Sequence, residues 1–208
     1  LCTDVRVKRS IRDYLKASGE EIFVDLEGDA KVTMEQKLDA VFARIWNDDA
    51  EMRRVLGSEE SFNQYSALKE KDLKKTRDKI IAEKPVNPAF NQALLAGLVA
   101  NKFIDIRMFG SAFAVKGFKN VTGAIQLNWG YSLNKVYLLG SDTVASVMND
   151  GNSTFGRDYR VKYSLLAFHG TINRAAGQTT GLTDADVHKF RDAIWHSVSA
   201  NPTRSKIN

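Results

Sequence analysis

The apolar residues of this chain change their spacing once, near Asn101, and that change constrains the fold more than any other feature. Between Thr33 and Asn101 they recur at three- and four-residue intervals: Leu38, Val41, Phe42 and Ile45 in one stretch, Phe90, Leu94 and Leu98 in another. That is the spacing of buried helix faces. Thr33 with Gln36 makes a capping box. Pro85 ends a helix, and Asn87 followed by Pro88 starts the next as N-cap and first-turn residue. The mixed-charge run Lys69 to Lys79 reads as a solvated helix.

Beyond Asn101 the apolar residues alternate, the period of a strand. In "FIDIRMFG", Ile104, Ile106 and Met108 fall on one face and Phe103, Asp105, Arg107 and Phe109 on the other. "AFAVKGFKNVTGAIQLNW" predicts two strands around a basic, glycine-containing tip. Asp158 to Asn173 predicts a long strand, bent where the apolar parity switches near Leu165. "IFVDL", Ile22 to Leu26, predicts a short one. Helices flank this β-rich half. At the start, Thr3 or Asp4 caps a helix whose apolar face is Val7, Ile11, Tyr14 and Leu15, with Gly19 ending it. At the end, Thr183 caps a helix with the stripe Val187, Phe190, Ile194 and Val198. The order predicts an α+β domain: an open antiparallel sheet, helices on one side, and a helical insertion. No further strand follows the last helix, so both ends read as trimmed.

Composition narrows the chemistry. Among 208 residues, one cysteine, Cys2, leaves no internal disulfide framework and fits a reducing cytoplasm. No apolar run has the length to span a bilayer. The three histidines, His169, His188 and His196, stand at no metal-binding spacing, and no phosphate-binding glycine loop or nucleophile elbow is written. No catalytic residue, metal or cofactor is indicated. His169, in "LLAFHG", reads as a core or edge histidine.

The net charge of +5 gains meaning from where it sits. Arg9, Arg12 and Lys16 share a face of the first helix, with Lys8 beside them. Arg107 and Phe109 would project together from one sheet face, an arrangement that stacks and holds single-stranded RNA. Lys116 and Lys119 flank Gly117 and Phe118 at the hairpin tip. Arg157 and Arg160 lie beside Gly156. Together these cations and aromatics predict a nucleic-acid surface.

The motifs "TDVRVKRSIRDYL", "DIRMFG", "TGAIQLNWGYSLNKV", "TFGRDYRVKYSLLAFHG", "TGLTDADV" and "NPTRSKIN" occur in that order. With them the chain resembles the RNA-binding backbone subunit of type I CRISPR interference (Cascade) complexes, the type I-B branch most of all. The resemblance covers the first 26 residues and most of the chain from residue 101, while the middle block matches in character. It implies one domain over residues 1–208: a modified RNA-recognition (ferredoxin-like) sheet with helical fingers at 33–101 and a thumb-like hairpin at 112–125. It implies a non-catalytic subunit that polymerises with copies of itself along the CRISPR guide RNA, beside other Cascade subunits. The guide is presented for pairing with target DNA.

By the same resemblance Lys8, Arg9 and Arg12 would contact the guide backbone. Arg107 and Phe109 match the strand at the RNA face, and Gln126 the polar position after the thumb glycine, Gly123. Arg157 and Arg204 match basic positions near the RNA or the next subunit. The family's first strand, its Asn/Gly-rich loop and its closing strand are absent here. Three alternatives remain open at this point. One is an endoribonuclease of related fold that processes CRISPR RNA, with His169 as acid or base. Another is a backbone subunit of the RNA-cleaving type III branch. The third is a scaffold that binds only protein.

Overall fold

The computed structural model describes residues 2–25, 34–80, 87–111, 120–147 and 153–200. Its contacts divide the chain into two units, residues 7–126 with 171–208, and residues 1–6 with 127–170.

The larger unit is mostly helical. After α1 (Asp4–Ala17) come α2 (Met34–Ile45), α3 (Asp49–Leu56), α4 (Glu59–Leu68), α5 (Leu73–Ile80) and α6 (Pro88–Lys102). Their starts follow from side chains that satisfy orphan backbone donors. Asp48 Oδ1 accepts from the Ala50 and Glu51 N–H groups, Ser58 Oγ from Ser61 N–H, and Asn87 Oδ1 from Phe90 N–H. Gly57, at φ +67°, closes α3 in the left-handed conformation that favours glycine. The expected stripe Leu38, Val41, Phe42 and Ile45 is buried, and it meets Met52, Tyr65, Leu94 and Leu98 in one core. Thr33 of the expected capping box lies outside the described residues.

The change of period at Asn101 does not begin a strand. Phe103 breaks α6 for one residue, and α7 (Ile104–Phe109) resumes as helix. Ile104, Asp105, Ile106, Met108 and Phe109 are all buried. With only Arg107 partly open, this short helix has almost no solvent face and carries no helical period to read. The predicted sheet face holding Arg107 and Phe109 is therefore replaced by a buried helical turn. Residues 22–25 are likewise not a strand but a bend.

At Gly110 the chain enters β1 (Gly110–Ser111), antiparallel to β2 (Val121–Thr122). Gly110 has φ +69°, and a Cβ there would lie 2.1 Å from the Val121 carbonyl oxygen. A Cβ on Gly123 would lie 2.0 Å from the Phe109 carbonyl carbon. Two glycines thus let two backbone segments meet at the base of the hairpin. Its expected tip, with Lys116 and Lys119, lies outside the described residues. β3 (Ile125–Leu127) follows.

In the smaller unit lie β4 (Tyr131–Ser132), β5 (Leu138–Val147) and β7 (Leu166–Ala167), with β6 (Ser153–Val161) between the last two. β5 and β6 pair antiparallel from Leu138↔Val161 to Val147↔Ser153, with an irregularity between Leu139 and Asp142. β4 pairs with β7, and Cys2 bridges to Gly130. Trp129, Tyr131, Leu133, Tyr137, Tyr163 and Leu165 are exposed.

β8 (Gly170–Ile172) pairs with β3, and the chain ends in α8 (Arg174–Thr180) and α9 (Asp184–Ala200). Among the described residues the strands form four two-stranded ladders, not one open sheet. The predicted long strand to Asn173 is three strands, β6, β7 and β8, each with a different partner. The parity switch at Leu165 marks one exchange: its N–H donates to Asn134 Oδ1, and its carbonyl accepts from Leu133 N–H.

On α9 the buried face is Asp186, Phe190, Ala193 and Ser197. Only Phe190 of the predicted stripe is fully buried; Ile194 and Val198 are exposed beside Trp195. Ala193 and Ser197 lie on the buried face, and the larger Ile194, Trp195 and Val198 lie outside it.

Candidate nucleic-acid interface

The cations of α1 divide by depth. Arg12 points inward: its Nε donates to Asp105 Oδ2 at 3.0 Å, and the Asp105 carboxylate is fully buried. The same carboxylate accepts from the backbone N–H groups of Phe23 (2.9 Å) and Val24 (3.1 Å). Asp105 therefore ties α1 and the 22–25 bend to α7. Lys37, itself buried, donates from Nζ to the carbonyls of Phe23 (2.9 Å) and Asp25 (3.3 Å). A charged group taken from water needs this many partners to be tolerated.

Arg9 and Lys16 stand at the rim, their side chains 40% and 52% exposed. Arg9 reaches Asp13 at 2.8 Å and Asp25 at 3.4 Å, and Lys16 Nζ donates to the other Asp25 oxygen. Lys8 lies between the two depths, with Nζ 5.7 Å from the centre of the Phe109 ring. The Arg12 guanidinium is 5.2 Å from that same ring, and Phe190 meets it edge-on. The structure thus brings Lys8, Arg12 and Phe109 together across about a hundred residues of sequence. The ring is buried beneath the cations as a cation–π support, not presented as an open stacking surface.

Arg107 is a correction to the expected surface. Its Nε and Nη2 form a fork on Asp186 at 2.8 and 2.7 Å, and Nη1 donates to the Ala100 carbonyl at 2.9 Å. Asp186 also accepts from Thr183 N–H, while its own N–H donates to Thr183 Oγ1, a reciprocal cap on α9. Burial pushes the Asp186 carboxyl up, but the Arg107 bonds and the Thr183 N–H outweigh it and hold the group below the usual carboxylate range. This guanidinium is spent on holding α7 to α9.

Gln126 is exposed, and its Nε2 donates to the Gly123 carbonyl at 2.8 Å, bracing the glycine at the hairpin base. Arg157 occupies a backbone position on β6 opposite Thr143. Arg204 lies outside the described residues. His169 is exposed, and its carbonyl accepts from Asn128 N–H at 2.8 Å. Among the described residues no group of three His, Cys, Asp or Glu side chains could hold a metal ion, and no helix is long and apolar enough to cross a membrane.

The sequence reading missed the carboxylates that organise the site. Asp105 carried a signal, an acid inside the apolar run "IDIRMF". Asp186 carried another, three residues after the capping Thr183. Asp25 carried none.

Fold and site together define an α+β protein whose first helix sets Lys8 and Arg12 over the buried Phe109 ring. A family model described as CRISPR-associated protein Cas7 matches residues 1–208, and the chain belongs to that family. It is 26% identical over 214 residues to a CRISPR-associated protein Cas7 of Haloferax volcanii. The match covers 100% of this chain and 57% of that relative, so the chain spans a little over half the relative's length. Among solved structures, it is similar to a chain of a CRISPR RNA-guided surveillance complex, pre-nicking. There the identity is 14% and the TM-score 0.40, with 96% of this chain and 57% of that one covered.

Proposed function

We propose that the chain is part of a guide-RNA-binding backbone subunit of a type I Cascade complex, of the type I-B branch. It holds the guide through its phosphates and presents it for pairing with target DNA. Family membership across the chain supports this reading. The observation that carries it is the layered cationic face of α1, with Lys8 and Arg12 over Phe109 and Arg9 and Lys16 at the rim. A subunit that accepts every guide must contact phosphate and sugar rather than base edges. Long flexible cations on one helix face do that. Sequence is then read by base pairing.

In this reading residues 33–101 are the fingers and 112–125 the thumb of a modified RNA-recognition fold. Copies of the subunit polymerise along the guide beside other Cascade subunits and cleave nothing. Lys8, Arg9 and Lys16 are the phosphate contacts on α1, with Arg12 held beneath them. Gln126, Lys116, Lys119, Arg157 and Arg204 extend the RNA surface, as the family resemblance implies.

The test is a denaturing gel of nucleic acid that stays with the protein through a high-salt wash. A discrete RNA carrying CRISPR repeat sequence is the expected result. No RNA, or a heterogeneous smear, contradicts the reading.

A further inference from the structure

The Asp25 side chain is only 8% exposed, yet it accepts from two cations that are far more open: Arg9 Nη2 on one carboxylate oxygen and Lys16 Nζ on the other. The two donors stand seven residues apart on α1, two helical turns on one face. The carboxylate does not depend on them for its place. The bend that carries it is held from below by Asp105, through the Phe23 and Val24 N–H groups, and by Lys37, through the Phe23 and Asp25 carbonyls. A fixed anion with two oxygens, each taking one exposed cation, does what one phosphate group of a polyanion would do there.

Resting on the RNA-binding reading above, we propose that Asp25 is an internal competitor for the guide backbone: it occupies Arg9 and Lys16 in the free protein, and an RNA phosphate must draw them away. The exchange weakens binding to any RNA that cannot supply many phosphates at once. Short or stray RNA is held poorly, while a full-length guide overcomes the competition along its length. Arg9 keeps a second acid, Asp13, at 2.8 Å, so Lys16 is the cation most completely given over to Asp25.

The experiment measures affinity of the full chain for a short single-stranded RNA across a salt series, for the parent and for Asp25→Asn. The variant should bind about five-fold more tightly at ~0.1 M salt, because the freed cations displace counterions condensed on the RNA phosphates. Its log–log salt slope should steepen by roughly 0.7 for each freed cation that takes a phosphate. In an Arg9→Gln, Lys16→Gln background the Asp25→Asn change should have no effect.

Equal or weaker binding by Asp25→Asn, with the parent binding RNA, overturns the competition and leaves the RNA-binding reading standing. No binding by any of these proteins overturns both. Should Asp25→Asn fail to fold, the parent still decides: its Asp25 carboxyl carbon resonance should shift on saturation with RNA while that of Asp105 stays. An unmoved Asp25 resonance overturns the proposal.

Discussion

The seam behind α1 and the rim of α1 use the same chemistry at different depths. In the seam, Asp105 takes Arg12 and two backbone N–H groups, with its carboxylate shut off from water. At the rim, Asp25 takes Arg9 and Lys16, whose side chains are 40% and 52% exposed. A guanidinium committed to a buried carboxylate cannot leave it without stranding a charge, which costs several kcal/mol. An exposed one can exchange its partner for little. Depth separates the α1 cation committed to a buried carboxylate from those whose side chains remain partly open.

The largest effect should come from stranding a cation in the seam. Asp105→Ala removes the partner of Arg12 and the acceptor for Phe23 and Val24, and should cost about 3–5 kcal/mol in urea unfolding. A loss below about 1 kcal/mol would erase the distinction between seam and rim. Arg107→Ala strands Asp186 in the same way and should cost about 3 kcal/mol or more, read as a lowered thermal midpoint. Both variants test folding and make no demand on RNA.

The pH dependence sharpens the comparison. The Asp186 carboxyl is held below its ordinary range in the folded protein, so it contributes stability that is fully present above the ordinary carboxylate pKa. That contribution is lost as pH falls through the lower, folded value. Acid unfolding of the parent should therefore steepen below about pH 4, and Asp186→Asn should show a shallower fall there. Identical acid profiles would mean the Arg107 fork is not held by charge.

The smallest effect belongs to the exposed pairs. Lys189 Nζ donates to Glu20 on the surface, and Glu20→Gln should change stability by about 0.5 kcal/mol or less. A larger loss would show that depth is not what separates structural from exchangeable pairs.

Local signals in the sequence found the parts of this fold that are built locally. Asn87 and Thr183 cap the helices expected of them, and the stripe from Leu38 to Ile45 is buried as its spacing requires. The parity switch at Leu165 marks a real exchange of strand partners. What the sequence hid was anything set by a distant partner. Ile104 to Phe109 alternates like a strand because five of its six residues are buried, and a short, mostly buried helix need show no helical period. Arg107 looked like a surface cation because its acid, Asp186, stands 79 residues away. The face of α9 was misplaced because the helix buries Asp186, Ala193 and Ser197 rather than the larger Ile194 and Val198. The candidate site divides the same way. The basic helix was legible, but the split of its cations into inner and outer sets depends on Asp105 and Asp25, whose roles no spacing rule shows.

The central claim is that the rim cations of α1 hold RNA by its phosphates. The most direct measurement is the affinity of the full chain for two single-stranded RNAs of equal length and unrelated sequence, over a salt series, for the parent and for Arg9→Glu with Lys16→Glu. The account predicts equal affinity for the two RNAs, a steep loss with salt, and about a ten-fold or greater weakening in the double variant with a shallower salt slope. Binding that ignores salt, or a double variant that binds as the parent does, would contradict it.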